Sequence, residues 1–173
     1  MISPDPAGSP DTTDLDRVIR SRRTTKLLDP DRPVDPAVIA ELCELATWAP
    51  NHKKTEPWRF AVVTGDGRRR LGETLADALA ATGGHEAKIT KTRTKYFRAP
   101  VVVVVGSVPG ADPVTTAENR DAVASAITLL LLSATARGLG TLWSSVSPAF
   151  LSVSLDAGIG PSPMRWLGTP ATP

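Results

Sequence analysis

Apolar positions recur at helical spacing in the first third of the chain and as β-branched runs further on. Thr13-x-x-Asp16 offers a capping box, and Leu15, Val18 and Ile19 follow on one face. A first helix is therefore predicted from near Thr13 into the basic cluster Arg20-Ser21-Arg22-Arg23. Asp35 as N-cap with Pro36 at the first helical position opens a second. Val38, Leu42, Leu45 and Ala49 form its predicted buried stripe, and Pro50 stops it. Residues 58–64, WRFAVVT, read as a strand closed by the turn Gly65-Asp66-Gly67. Helical stretches follow over about Arg68–Thr82 and Glu86–Lys95, separated by Gly83-Gly84.

After Pro100 the run VVVVV at 101–105 predicts a strand buried on both faces. Thr115-x-x-Glu118 is expected to cap a long helix that ends at Gly138. Its centre is apolar on nearly every side, which predicts burial all round, part of it supplied by a second subunit. Thr141–Ser145 reads as a strand, Pro148–Asp156 as a short helix and Met164–Gly168 as a last strand. Two helices come first and strands and helices then alternate irregularly, so the class is α+β, with helices sandwiching one sheet. Residues 1–13, rich in Pro, Ser, Gly and Asp, read as a flexible lead-in, and 14–173 as one domain without internal repeats.

Length and composition agree with this. A chain of 173 residues can bury a sizeable core, and 20 Lys+Arg against 18 Asp+Glu gives no push towards nucleic acid or membrane. The one cysteine, Cys43, lies on an apolar helical stripe and reads as a packed thiol, so disulfides are not part of the framework. The N-terminus lacks a basic region followed by an apolar run. The apolar, uncharged stretch Ala122–Ala136 is shorter than the roughly 20 residues that span a bilayer. A cytoplasmic setting is the expectation.

Several chemistries are excluded by their missing motifs. There is no G-x-S-x-G elbow and no GxxxxGK[ST] phosphate loop, and His52 and His85 do not stand in metal-ligand spacing. Gly138-Leu139-Gly140 follows a helix and is better read as its C-cap than as a dinucleotide fingerprint. Two unusual stretches remain. Arg22-Arg23-Thr24-Thr25 closes the first helix, and adjacent guanidinium groups and hydroxyls suit a phosphate. A solvated basic helix end explains the same residues about equally well. The stretch Ala49-Pro50-Asn51-His52-Lys53-Lys54-Thr55-Glu56-Pro57-Trp58 is a polar loop between two prolines that can present His52 and Lys53 to a ligand. A plain helix-to-strand connection is the competing reading.

The order RSRRTT, helix, APNHKKTEPWRF, RAPVVVVV, long apolar helix and GLGTLWSS resembles the nitroreductase family over about residues 14–170. It is most similar to the compact bacterial branch with an R-R-S segment and an A-P-D/N-H-K…P-W loop. The resemblance implies a nitroreductase-like fold, with a central, mostly antiparallel sheet flanked by helices, and a homodimer with FMN at the subunit interface. It further implies that Arg22, Arg23 and Thr24 hold the FMN phosphate and the N1/O2 edge of the ring. Trp48 and His52, with Lys53 beside them, approach the flavin from the other subunit; Trp143, Ser144 and Ser145 lie beside ring and phosphate. Ser133, Gly138 and Gly140 fall near the nicotinamide or substrate. The implied activity is ping-pong transfer of a hydride from NADH or NADPH through the flavin to a nitroaromatic, a quinone or a similar acceptor. No protein nucleophile is needed for it. The chain departs from the pattern at Ser144, where relatives commonly carry an arginine; one positive charge near the phosphate is then missing, which would weaken FMN binding unless Lys53 or Arg165 substitutes. It departs again at Leu129, where a polar amide is often seen, and in a short segment after Leu167. A non-catalytic FMN-binding or storage protein of the same fold is the alternative.

Overall fold

The computed structural model describes residues 12–144 and 165–167. Helix α1 spans Thr12–Ser21 and α2 spans Pro36–Ala46, followed by a short 3-10 turn at His52–Lys54. Strand β1 (Trp58–Thr64), helices α3 (Gly67–Ala81) and α4 (Glu86–Thr94) and a second 3-10 turn at Lys95–Arg98 come next. Strand β2 (Val101–Ser107), helix α5 (Pro113–Ala136) and strand β3 (Arg165–Leu167) complete the order. The sheet order among the described residues is β2-β1-β3, antiparallel at both junctions, with Phe60 opposite Val105 on one side and Leu167 on the other. The expected α+β class holds.

Alternation along the strands explains the two layers. Trp58, Phe60 and Val62 of β1, with Val103 and Val105 of β2, face a cluster built by Cys43, Ala46 and Ala49 with Ala122, Val123 and Ala126 of α5. Val63, Val102 and Val104 face the other way, onto Leu71 and Leu75 of α3 and onto Tyr96. The apolar run at 101–105 thus has protein on both faces, yet its side chains are only half-buried, because β2 is an edge strand among the described residues. Full burial was the expectation, and the missing neighbour on one edge corrects it.

Helix α2 begins as its sequence requires. The Asp35 carboxylate accepts from the Ala37 amide at 2.8 Å, and Pro36 occupies a position whose N–H would have no partner anyway. Its buried face is Ile39, Leu42, Cys43 and Ala46, continued by Ala49, while Val38 and Leu45 of the expected stripe are only half-buried. Helix α5 uses the same device three residues earlier than predicted. Asp112 is the N-cap, accepting from the amide and the hydroxyl of Thr115, with Pro113 following it. These hydrogen bonds hold the Asp112 carboxyl below the usual carboxylate range. Thr115 is therefore inside the helix, and Glu118 is released from capping to face the 49–57 loop. The centre of α5 is not buried all round within one chain: Leu129–Ser133 are half-buried. The predicted strand at 141–145 reduces to a single bridge at Thr141, with 142–144 irregular and Ser145 outside the described residues. The predicted helix at 148–156 and the lead-in before residue 12 also lie outside them, as does Gly168.

Burial sets the ionisation of two core groups. Cys43, 2% exposed, is pushed up from 9.0 to about 11, and burial moves Tyr96 from 10.0 to about 12. Both acids are held neutral by the fold. Their contribution to stability is therefore complete below their unfolded values and is lost as the pH rises through about 11 and about 12. Near pH 8 the native thiol should react with iodoacetamide on the order of a hundredfold more slowly than in the urea-unfolded chain. Equal rates would show that Cys43 is exposed.

Candidate functional site

Arg22 and Arg23 follow directly on the last residue of α1, and the helix end treats them differently. The Arg23 guanidinium turns back, its Nη1 donating to the carbonyls of Arg20 at 2.6 Å and Arg22 at 2.9 Å. It satisfies helix-terminal acceptors, the role a basic residue plays against the helix dipole. Arg22 is half-buried, and its guanidinium has no hydrogen bond or ion pair among the described residues. The adjacent segment is fixed in register with the chain that leaves α5. Thr24 joins Thr141 in a parallel bridge, and the Thr25 amide donates to the Thr141 carbonyl at 2.8 Å.

Two glycines make that approach possible. Gly138 ends α5 at φ +71, a left-handed cap, while the Leu139 amide donates back to Ala134 at 2.9 Å. A Cβ on Gly140 would lie 2.7 Å from Leu28 Cδ2 and 3.0 Å from Thr25 Cγ2, so the two segments touch where there is no side chain. Ser133 is half-buried one turn before the cap, its carbonyl accepting from Arg137 at 3.1 Å. Trp143 is 54% exposed and Ser144 is exposed. Arg22, Arg23, Thr24, Ser133, Gly138, Gly140, Trp143 and Ser144 are thus grouped around the C-terminal end of α5. Ser145 and the side chain of Arg165 lie outside the described residues.

The proline-bracketed loop is held at the other end of the same helix. Lys53, Lys54 and Glu56 all have positive φ, at 59, 50 and 43 degrees. Left-handed backbone costs a residue with a Cβ roughly 1–2 kcal/mol, so three such residues persist only where the surroundings over-determine them. The ties are visible. Asn51 Oδ1 accepts from the Thr55 amide at 2.8 Å, closing the turn on itself. His52 Nδ1 meets Glu118 Oε2 at 2.9 Å, and the Thr55 hydroxyl donates to Asn119 Oδ1 at 2.7 Å. Asn119 Nδ2 donates in turn to the Val108 carbonyl at 3.0 Å, and the Val108 amide donates to Pro57 at 2.8 Å. Asn51 Nδ2 is buried with no acceptor among the described residues. Lys53 is exposed, and Trp48, at the head of the loop, is 77% exposed.

Glu118, Asn119 and Thr55 were not singled out as site residues by sequence. Glu118 read as a capping partner of Thr115, and an amide beside it near a helix start reads as an ordinary surface residue. Asp112-Pro113, which repeats the Asp35-Pro36 signal, would have placed them inside the helix and free to face the loop.

The two halves of the predicted site do not meet within one chain. From Glu118 to the end of α5 at Ala136 the helix rises about 27 Å at 1.5 Å per residue. Helix α2 packs against α5, and the Glu41–Arg137 ion pair places the middle of α2 beside the end of α5. The loop at the end of α2 is thereby carried to the far end. Large apolar side chains stand exposed in both places: Trp48 at one, Leu27 (95% exposed), Leu142 and Trp143 at the other.

An α+β fold in which an arginine-threonine segment bridges a glycine-rich helix end, while a Pro-Asn-His-Lys loop is pinned to the start of that helix, defines a recognisable class. The chain belongs to the nitroreductase family: the family model described as Nitroreductase family matches residues 19–161. It is 28% identical over 165 residues to the "Putative NAD(P)H nitroreductase YdjA" of Escherichia coli (strain K12), covering 90% of this chain and 87% of that protein. Among solved structures it is similar to a nitroreductase-like family protein from Bacillus cereus, with a TM-score of 0.72, 27% identity, and 86% and 80% of the two chains covered. The FMN-dependent nitroreductase NfnB from Mycobacterium smegmatis, solved in complex with NADPH, shares the fold at a TM-score of 0.67 and 21% identity, over 90% and 85% of the two chains. Among the described residues, no helix is long and apolar enough to cross a membrane.

Proposed function

We propose that this chain is an FMN-dependent NAD(P)H oxidoreductase acting on nitroaromatics, quinones or similar electron-poor acceptors, and that two copies of it assemble each flavin site. The separation of the two site halves along α5 carries the second part. A flavin that touches both Arg22 and His52 needs those residues from different chains. A twofold dimer supplies both sites by one symmetric contact. The exposed apolar residues at the two ends of α5, and its half-buried Leu129–Leu132 centre, give such a contact its apolar surface.

The residues present fit FMN. Arg22 offers an uncommitted guanidinium fork for phosphate or for the N1–C2=O edge of the ring, where positive charge favours the reduced form. Thr24 and Ser144 add hydroxyls beside it, and Ser145 follows in the chain. Trp48, His52 and Lys53 of the second copy would close over the ring and keep water from it. Ser133, Gly138 and Gly140 border the space left for nicotinamide or acceptor. When bound, FMN supplies the hydride chemistry, accepting from NADH or NADPH and passing it to the acceptor. The protein's work is to bind, orient and exclude water. A cytoplasmic setting belongs to the same proposal, in keeping with a lone, buried, unpaired thiol.

The test is to reconstitute the protein with FMN, add NADH or NADPH without oxygen, and then add a nitroaromatic or a quinone. Bleaching of the flavin band by the nicotinamide and its return with the acceptor is the expected result. Bound flavin that neither nicotinamide bleaches would leave a storage protein as the better account.

A further inference from the structure

Asn119 is the single polar residue buried as a whole among the described residues, 4% exposed on a helix face that otherwise presents Ala122, Val123 and Ala126 to the core. Burying an amide is unfavourable unless its donor and acceptor are both used, and here both are. Its Oδ1 takes the Thr55 hydroxyl and its Nδ2 holds the Val108 carbonyl, so one residue ties α5, the loop and the end of β2. An aspartate could not donate and a leucine could do neither.

Two of the other side-chain ties are weaker. His52–Glu118 is a pair with side chains 60% and 37% exposed, where water competes with the contact. The Asn51–Thr55 bond is internal to the loop and does not fix it to anything else. We propose that the Thr55–Asn119 hydrogen bond is the latch that keeps Lys53, Lys54 and Glu56 in their left-handed conformation, making both positioning residues for the flavin site. The role in flavin binding rests on the function proposed above; the latch itself does not. With the bond intact, His52 and Lys53 are presented to the second copy in one arrangement. Without it the loop relaxes towards extended backbone, and both side chains lose their place.

Lys53 and Lys54 make the loop a reporter of its own conformation, since trypsin cleaves after lysine only where the chain can open. Thr55→Val keeps the shape and removes the hydroxyl, and Thr55→Ser restores it. Peptide mapping by mass spectrometry follows cleavage after Lys53 and Lys54 in protein without added flavin. Thr55→Val should be cut there roughly five- to tenfold faster than wild type, the factor expected for one lost neutral hydrogen bond, with Thr55→Ser close to wild type. FMN affinity should fall by a similar factor in Thr55→Val while the melting temperature falls by only about 2–4 °C. Equal cleavage in Thr55→Val and wild type, or equally fast cleavage in Thr55→Ser and Thr55→Val, would overturn the latch. Should Thr55→Val fail to fold, Thr55→Ala makes the same comparison. A wild-type protein that binds no FMN would end the flavin reading and leave the latch to be judged by cleavage alone.

Discussion

Replacing Arg22 by alanine is expected to weaken FMN binding by roughly 1.5–3 kcal/mol, the scale of a hydrogen bond to a charged group. The expectation is specific to Arg22. Its guanidinium is half-buried and uncommitted, whereas Arg23 already spends Nη1 on the carbonyls of Arg20 and Arg22. Arg23→Ala should therefore cost less affinity and act partly through the end of α1. Arg22→Lys keeps the charge and loses the fork, and should fall between wild type and alanine. Titration of flavin fluorescence with each variant orders them directly. Unchanged affinity in Arg22→Ala would mean that the phosphate and the N1–C2=O edge are held elsewhere.

The second large effect concerns the frame that holds the site. Phe60 is fully buried in the middle of β1, the strand paired on both sides, and it packs on the layer formed by α2 and α5. Phe60→Ala removes that ring and leaves a cavity between sheet and helices, at a cost of about 3–5 kcal/mol. That is a large part of the roughly 5–15 kcal/mol by which domains are stable. A urea titration should show the midpoint falling steeply with little change in slope. A loss of less than about 1 kcal/mol would mean that the layer collapses around the gap, and that the core is less tightly packed than its burial implies.

Much of the fold was legible because its signals are local. Asp35-Pro36 marks a helix start by chemistry that needs no tertiary context, and residues 58–64 form a strand where alternation and flanking turns place one. The start of α5 was misplaced because two capping patterns stand three residues apart, and Asp112-Pro113 outweighs Thr115-x-x-Glu118 once the backbone amide of Thr115 needs an acceptor. The valine run was read for its faces, which are both covered, but nothing in a run of identical residues says which strand lies at an edge. The same limit applies to the site. RRTT and NHKK draw notice by residue type, as a candidate anion receptor and a candidate ligand-presenting loop. Their distance apart depends on how α2 lies along α5, and that emerges only when Glu41 meets Arg137 and Cys43, Ala46 and Ala49 join Ala122, Val123 and Ala126 in one core. Asn119 is invisible for a related reason: its partners are 64 and 11 residues away in the chain.

The central claim is that one chain supplies the arginine end of a flavin site and a second copy supplies the tryptophan-histidine end. Mixing tests it most directly. Arg22→Ala and the double variant Trp48→Ala/His52→Ala are unfolded and refolded together, and bound FMN is compared with that of each variant refolded alone. In random twofold dimers half the assemblies are mixed, each with one intact site, so about a quarter of wild-type binding should return. A mixture that binds no more FMN than its components would contradict the account.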